Sequence, residues 1–118
     1  MEMAQLDDPV YDRSLAISQL AGDETLFSAI AAVFVAECEG YCAALEAALA
    51  SANSVDLRRE AHTAKSMLAS FSCESGRVLA QRLENLAASG SLDGASEMTA
   101  AVIAVMRRLA SALESTLN

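Results

Sequence analysis

Apolar residues recur along the chain in steps of three and four, the spacing of one face of an α-helix, and the rhythm breaks at a few short polar or glycine-bearing stretches. A short first helix is predicted after Pro9, with Leu15 and Leu20 apolar and Gly22 as its end. Asp23 is placed to cap a long second helix carrying Leu26, Ile30, Val33, Phe34, Tyr41, Leu45 and Leu49 and running to about Ala52. Gly40 lies inside it, where glycine costs about 1 kcal/mol against alanine unless a neighbour packs closely. "SANSVD" supplies a turn, with Ser54 as the expected cap of a third helix whose stripe is Leu57, Ala61, Ala64, Leu68 and Phe71. "SCESG" interrupts again, and Val78, Leu79, Leu83 and Leu86 pattern a fourth helix that stops near "ASGSLDG". A last helix from about Gly94 carries Met98, Val102, Val105, Leu109 and Leu113. These elements predict an all-α fold, an antiparallel four-helix bundle with a short additional N-terminal helix at one end.

Composition agrees with that pattern. The chain has 118 residues, of which 25 are alanine, the strongest helix former, so a single domain over 1–118 with its own core is expected. A formal charge of −8 works against an extended nucleic-acid or anionic-membrane surface, and neither is an expected partner. "MEMAQLDDPVYD" has no apolar stretch of the signal-peptide kind, and the longest uninterrupted apolar run, "AIAAVFVA" at 29–36, is too short to span a bilayer. A cytoplasmic protein is expected. Cys38, Cys42 and Cys73 are an odd set and are read as reduced thiols. Cys38 and Cys42 share a helix face and could be imagined with His62 around a metal. No two-residue-spaced cysteine pair or second histidine supports that, so no metal is expected.

The unusual segment is "REAHTAKSMLASF", residues 59–71, which contains the only histidine and the only lysine of the chain. With the Leu57 to Phe71 stripe turned inward, Arg58, Arg59, His62, Lys65, Ser66 and Ala69 fall on the opposite side of the third helix. Arg58, Arg59 and Lys65 against Glu60 leave residues 58–65 at +2, within a chain that is −8 in all. Cations beside the ring disfavour a charged imidazolium and keep a ring nitrogen available as a nucleophile. The same cations suit a phosphoryl group once it is attached, with Lys65 as a compact charge one turn away. The plain alternative is a surface histidine with incidental basic neighbours.

"LRREAHTAKSMLASFS", residues 57–72, resembles the phosphoacceptor helix of histidine phosphotransfer (HPt) domains, whose signature is A-H-x-x-K-G followed by small residues and often a second glycine. "AGDETLFSAIAAVFVAECEGYCAALEAALASAN" is similar to the long helix that precedes this motif in the family, and "LAQRLENLAASGSL" to the one that follows, so the resemblance covers residues 10–117 or so. It implies His62 as phosphoacceptor and Lys65 as the residue that steadies the phosphoryl group, with Arg58, Arg59, Ser66 and Ala69 around them. Some family members orient the imidazole with a polar side chain of the next helix, and ungapped counting puts Glu84 there, with Gln81 one turn earlier. Ser66 and Ser72 stand where the family has glycine.

The resemblance also implies partners and chemistry. An aspartyl phosphate on a response-regulator receiver domain passes its phosphoryl group in line to His62, and a second receiver takes it on, in a relay fed by a hybrid sensor histidine kinase. The chain is then a phosphocarrier, monomeric and not itself an enzyme, because no phosphate loop or kinase signature is present. No cofactor is expected, magnesium belonging to the receiver's acidic pocket. Two rivals remain: an unphosphorylated docking or inhibitory module that binds a receiver or kinase, and a thiol or metal protein built on the cysteines.

Overall fold

The computed structural model describes residues 10–117; Pro9 and the acidic stretch before it lie outside the described residues. The described residues are helical with no strand, and form α1 (Arg13–Ser18), α2 (Glu24–Ala50), α3 (Ser54–Ser70), α4 (Glu74–Ala88) and α5 (Ala95–Leu117). Helix α3 packs most extensively against α4, and α2 against α5; α4 with α5 and α2 with α3 pack less extensively, and α3 touches α5 only slightly.

Polar side chains start three of the helices. Asp12, Asp23 and Asn53 each accept a hydrogen bond from the backbone N–H three residues on, all at 3.0 Å, satisfying one of the donors that a helix start leaves open. Asn53, not Ser54, is therefore the cap of α3; Ser54 is already the first helical residue. Three helix ends share one closure. The backbone N–H groups of Gly22, Asn53 and Cys73 reach back to the carbonyls of Ile17, Ala48 and Leu68, and the residue before each is left-handed: Ala21 at φ 57°, Ala52 at 53° and Ser72 at 55°. A Cβ in that region costs roughly 1–2 kcal/mol, which glycine avoids. Ser72 thus stands at a position whose backbone favours the glycine seen in the family.

The stripe predicted for α3 is the buried one, with Leu57, Ala61, Ala64, Leu68 and Phe71 all 3% exposed or less. The predicted α2 stripe holds in part: Phe34 and Leu45 are buried, and Ile30, Tyr41 and Leu49 are half-buried against the core. Leu26 and Val33 are 47% and 54% exposed, and the buried face is Phe27, Ala31, Phe34, Cys38, Cys42, Leu45 and Ala48. Alanine and cysteine supply four of those seven residues, and α2 is apolar nearly all round, so side-chain size alone places the stripe slightly off the buried face. In α1, likewise, Ala16 and Ile17 are buried and Leu15 is 48% exposed, and the helix stops at Ser18 rather than Gly22. By length and composition α2 is also apolar enough to cross a membrane, with mean hydropathy 1.5 over its best window, which the short run 29–36 understated. In this structure it lies along α3 and α5.

Gly76, the glycine of the "SCESG" interruption, is buried in the first turn of α4. A Cβ there would lie 2.6 Å from Val105 Cγ1, 3.0 Å from Leu68 Cδ2 and 3.1 Å from Cys73 Sγ, so glycine lets α4 approach both α5 and α3. Gly40, by contrast, faces open space. Gly76→Ala is expected to destabilise the fold by about 1–3 kcal/mol, as overpacked cores do. A denaturant midpoint equal to that of the unmodified chain would show that the three helices can separate at little cost.

Candidate functional site

The inward turn of Ala61 and Ala64 leaves His62 on the outer side of α3, with its side chain 59% exposed. Lys65, one turn further on, does not extend into solvent. It bends across to α4, where its Nζ lies 2.7 Å from Glu84 Oε1 and donates to Gln81 Oε1 at 3.1 Å. The other carboxylate oxygen of Glu84 lies 3.1 Å from His62 Nδ1. One carboxylate, only 14% exposed, therefore joins the imidazole to the lysine. Its neighbours Ala80 and Leu83 are fully buried, which sets the face of α4 that is turned to α3. Gln81 is fixed in turn by donating to Asn85 Oδ1 at 2.8 Å.

This geometry corrects the charge picture read from the segment alone. Arg58 and Arg59 are exposed, but Arg59 is held by Asp56 at 2.9 Å and lies 3.8 Å from Glu60. The charged group within hydrogen-bonding distance of the imidazole is the Glu84 carboxylate, an anion. The Lys65 ammonium, with a smaller contribution from His62, holds the Glu84 carboxyl below the usual carboxylate range against the opposing effect of burial, so it is ionised at neutral pH.

Val55, 71% exposed, lies with Arg58, Arg59, His62, Thr63 and Glu84 around a shallow cleft. Pattern reading passed over Val55 because it belongs to no apolar stripe. Ser66 and Ala69 are exposed further along α3, and the Thr63 hydroxyl is turned back to the Arg59 carbonyl at 3.2 Å. A larger hollow beside Tyr11, Asp12, Arg13 and Ser72 brings together no histidine, lysine or cysteine.

The thiols are elsewhere. Ligand atoms of Cys38, Glu39 and Cys42 lie within 4.8 Å of one another, and His62 is not among them. Burial pushes both thiols up, Cys38 to about 12, and the Glu39 carboxylate is taken by Arg107 in two hydrogen bonds of 3.0 and 2.8 Å. Protonated buried sulfurs and an occupied carboxylate are a poor donor set for a cation.

An exposed histidine presented by a helical scaffold, with a lysine one turn away, is the arrangement the family resemblance implied. The model of the Hpt domain matches residues 29–116. The chain belongs to the Hpt domain family. Its role is that of a histidine phosphotransfer carrier in a phosphorelay, a class of domains that interact with receiver domains and kinases. Among solved structures, the chain is similar to histidine-containing phosphotransfer protein B (HptB) from Pseudomonas aeruginosa PAO1, at 20% identity and a TM-score of 0.83, over 92% of this chain and 95% of that one. At that identity the likeness is one of fold. No curated protein sequence matches the chain significantly.

Proposed function

We propose that His62 is the acceptor of this Hpt domain, taking a phosphoryl group from a receiver-domain aspartate and passing it to a second receiver. The observation that carries the reading is the exposed imidazole whose Nδ1 faces an ionised carboxylate that also holds the lysine one turn on. Helix α3 brings His62 and Lys65 to the surface of what we read as an antiparallel four-helix bundle, a single domain over 1–118 with α1 at one end. Arg58, Arg59, Ser66 and Ala69 border the approach of the partner, while Gln81 and Glu84 support the site from α4.

The partners in this reading are response-regulator receivers and a hybrid sensor histidine kinase, and neither nucleic acid nor membrane. The domain acts as a cytoplasmic monomer and catalyses no ATP-dependent step. It needs no cofactor or metal of its own, magnesium residing on the receiver. The test is incubation with phosphorylated receiver domains, followed by detection of acid-labile, base-stable phosphate on His62. Stable binding without transfer would instead select the docking or inhibitory reading, for which Ser66 in place of glycine is the first clue.

Lys65 supplies local charge in this scheme. Lys65→Ala is expected to slow transfer about tenfold or more while receiver affinity changes little, a charge-assisted contact to a phosphoryl group being worth roughly 1.5–3 kcal/mol. Titration and single-turnover transfer separate the two effects. Equal losses in both would make Lys65 a docking residue.

A further inference from the structure

The three cations around His62 are not equally available. Lys65 lies across on α4, its ammonium 2.7 Å from Glu84 and hydrogen-bonded to Gln81. Arg59 is held by Asp56 at 2.9 Å and lies 3.8 Å from Glu60. Arg58 is exposed, lines the same cleft as His62, and forms no ion pair among the described residues. It stands four residues before His62, so the two share a side of α3. Helical side chains lean towards the N-terminus, which lays the imidazole back over the turn that carries Arg58. We infer that Arg58 is a catalytic residue of this carrier, its guanidinium gripping two oxygens of the phosphoryl group on His62 from the N-terminal side of α3 while Lys65 stays shared with Glu84. The inference rests on the reading of His62 as acceptor.

The need for a free cation follows from the charge that crosses. As a ring lone pair forms the N–P bond, the bond from phosphorus to the receiver's aspartyl oxygen breaks, and its electron pair stays on that carboxylate. The three remaining oxygens travel with phosphorus, and their negative charge arrives on a protein of formal charge −8. The magnesium that balanced them stays on the receiver. Lys65 can turn to the phosphoryl group only by loosening its hold on Glu84, a carboxylate 14% exposed, and a part-buried anion that loses its cation is destabilising. Arg58 has no such tie. Its planar fork matches two phosphoryl oxygens at once, where an ammonium offers a point charge.

The charged groups around the ring are Arg58, Arg59 and Lys65 on α3 and Glu84 on α4, and residues of these two helices alone line the cleft. Among them, the titration of the phosphoryl group reports which cation touches it. A contacting cation favours its more highly charged form and holds the titration midpoint low, so removal of that cation raises the midpoint.

Phosphorus-31 titration of the domain, loaded from a phosphorylated receiver, reads that midpoint at one site, because the chain has a single histidine. Arg58→Gln is expected to raise the midpoint by about one pH unit and to slow single-turnover transfer about tenfold, with affinity for the unphosphorylated receiver changed less than about twofold. Arg59→Gln removes the same charge one residue away, from a guanidinium already held by Asp56, and should raise the midpoint by less than about a third as much. Arg58→Lys, keeping the charge without the fork, should fall between Arg58→Gln and the unmodified chain. Circular dichroism checks the fold of each variant. Equal midpoints in Arg58→Gln and the unmodified chain, or a shift in Arg59→Gln as large as in Arg58→Gln, would overturn the inference while leaving His62 as acceptor. A loss in Arg58→Gln confined to receiver affinity would overturn it too, and make Arg58 a docking residue. Failure of the unmodified chain to take up any phosphate on His62 would take down the carrier reading and this one together.

Discussion

His62→Gln is expected to end phosphoryl uptake completely and to leave the fold almost untouched. Glutamine has no ring nitrogen with a nucleophilic lone pair, and the amide nitrogen that replaces it is not a nucleophile at neutral pH. The stability side of the expectation comes from burial. The imidazole is 59% exposed and its one direct partner, Glu84, retains Lys65, so the change should stay within about 0.5 kcal/mol, as surface substitutions do. Glutamine is also no worse a helix former than histidine. Phosphate on the chain after incubation with a phosphorylated receiver, and a thermal melt followed by circular dichroism, read the two halves separately. Uptake at the unmodified rate would remove His62 from the chemistry, and an unfolded variant would show that the ring belongs to the core after all.

What could be read from the sequence differs from helix to helix for physical reasons. Helix α3 was legible because its apolar residues alternate with charged ones, so only one face can be turned inward, and that face is buried in the structure. Helix α2 was legible in existence and length but only partly in phase. Nearly every face of it is apolar, and the choice of Phe27, Ala31, Cys38 and Cys42 over Leu26 and Val33 is made by α3 and α5 packing against it. Gly76 shows the same limit in another form. A glycine reads as a break until a neighbouring helix is seen to occupy the space where its Cβ would be.

The site divides in the same way. His62, Lys65, Ser66 and Ala69 share a helix, so their common side follows from the helical turn alone. Glu84 is 22 residues from His62, and a charge count over a local window cannot include it. The window gave a positive surrounding for the ring; the fold supplies an anion at hydrogen-bonding distance. Helix α4 could be matched to the orienting position only by counting along the family pattern, which left Gln81 and Glu84 both open. Of the histidine and the lysine, Gln81 reaches only the lysine and Glu84 reaches both.

Ser66→Leu is expected to block transfer to His62 in a folded protein. Residue 66 is one turn beyond His62 on the same helix, at i+4, and is exposed, so a longer side chain there reaches outward over the ground a receiver must cover to bring its phosphoaspartate in line. The core is not involved. Leu57, Ala61, Ala64 and Leu68 hold the opposite side of α3, and leucine is among the better helix formers, so circular dichroism and thermal stability should match the unmodified chain. The Ser66 carbonyl, which accepts from the Ser70 hydroxyl at 2.9 Å, is a backbone group and stays available. Since misplacing the reacting atoms by about 1 Å can cost roughly 100-fold in rate, a loss of that order from one phosphorylated receiver is expected. Ser66→Gly supplies the opposite arm. It restores the residue of the family pattern and removes the hydroxymethyl group from the approach, so transfer should be equal or faster, although glycine inside a helix costs about 0.5–1 kcal/mol relative to alanine. A leucine variant that transfers as fast as the unmodified chain would mean that the receiver reaches His62 without crossing Ser66, and that Ser66 lies behind the point of contact.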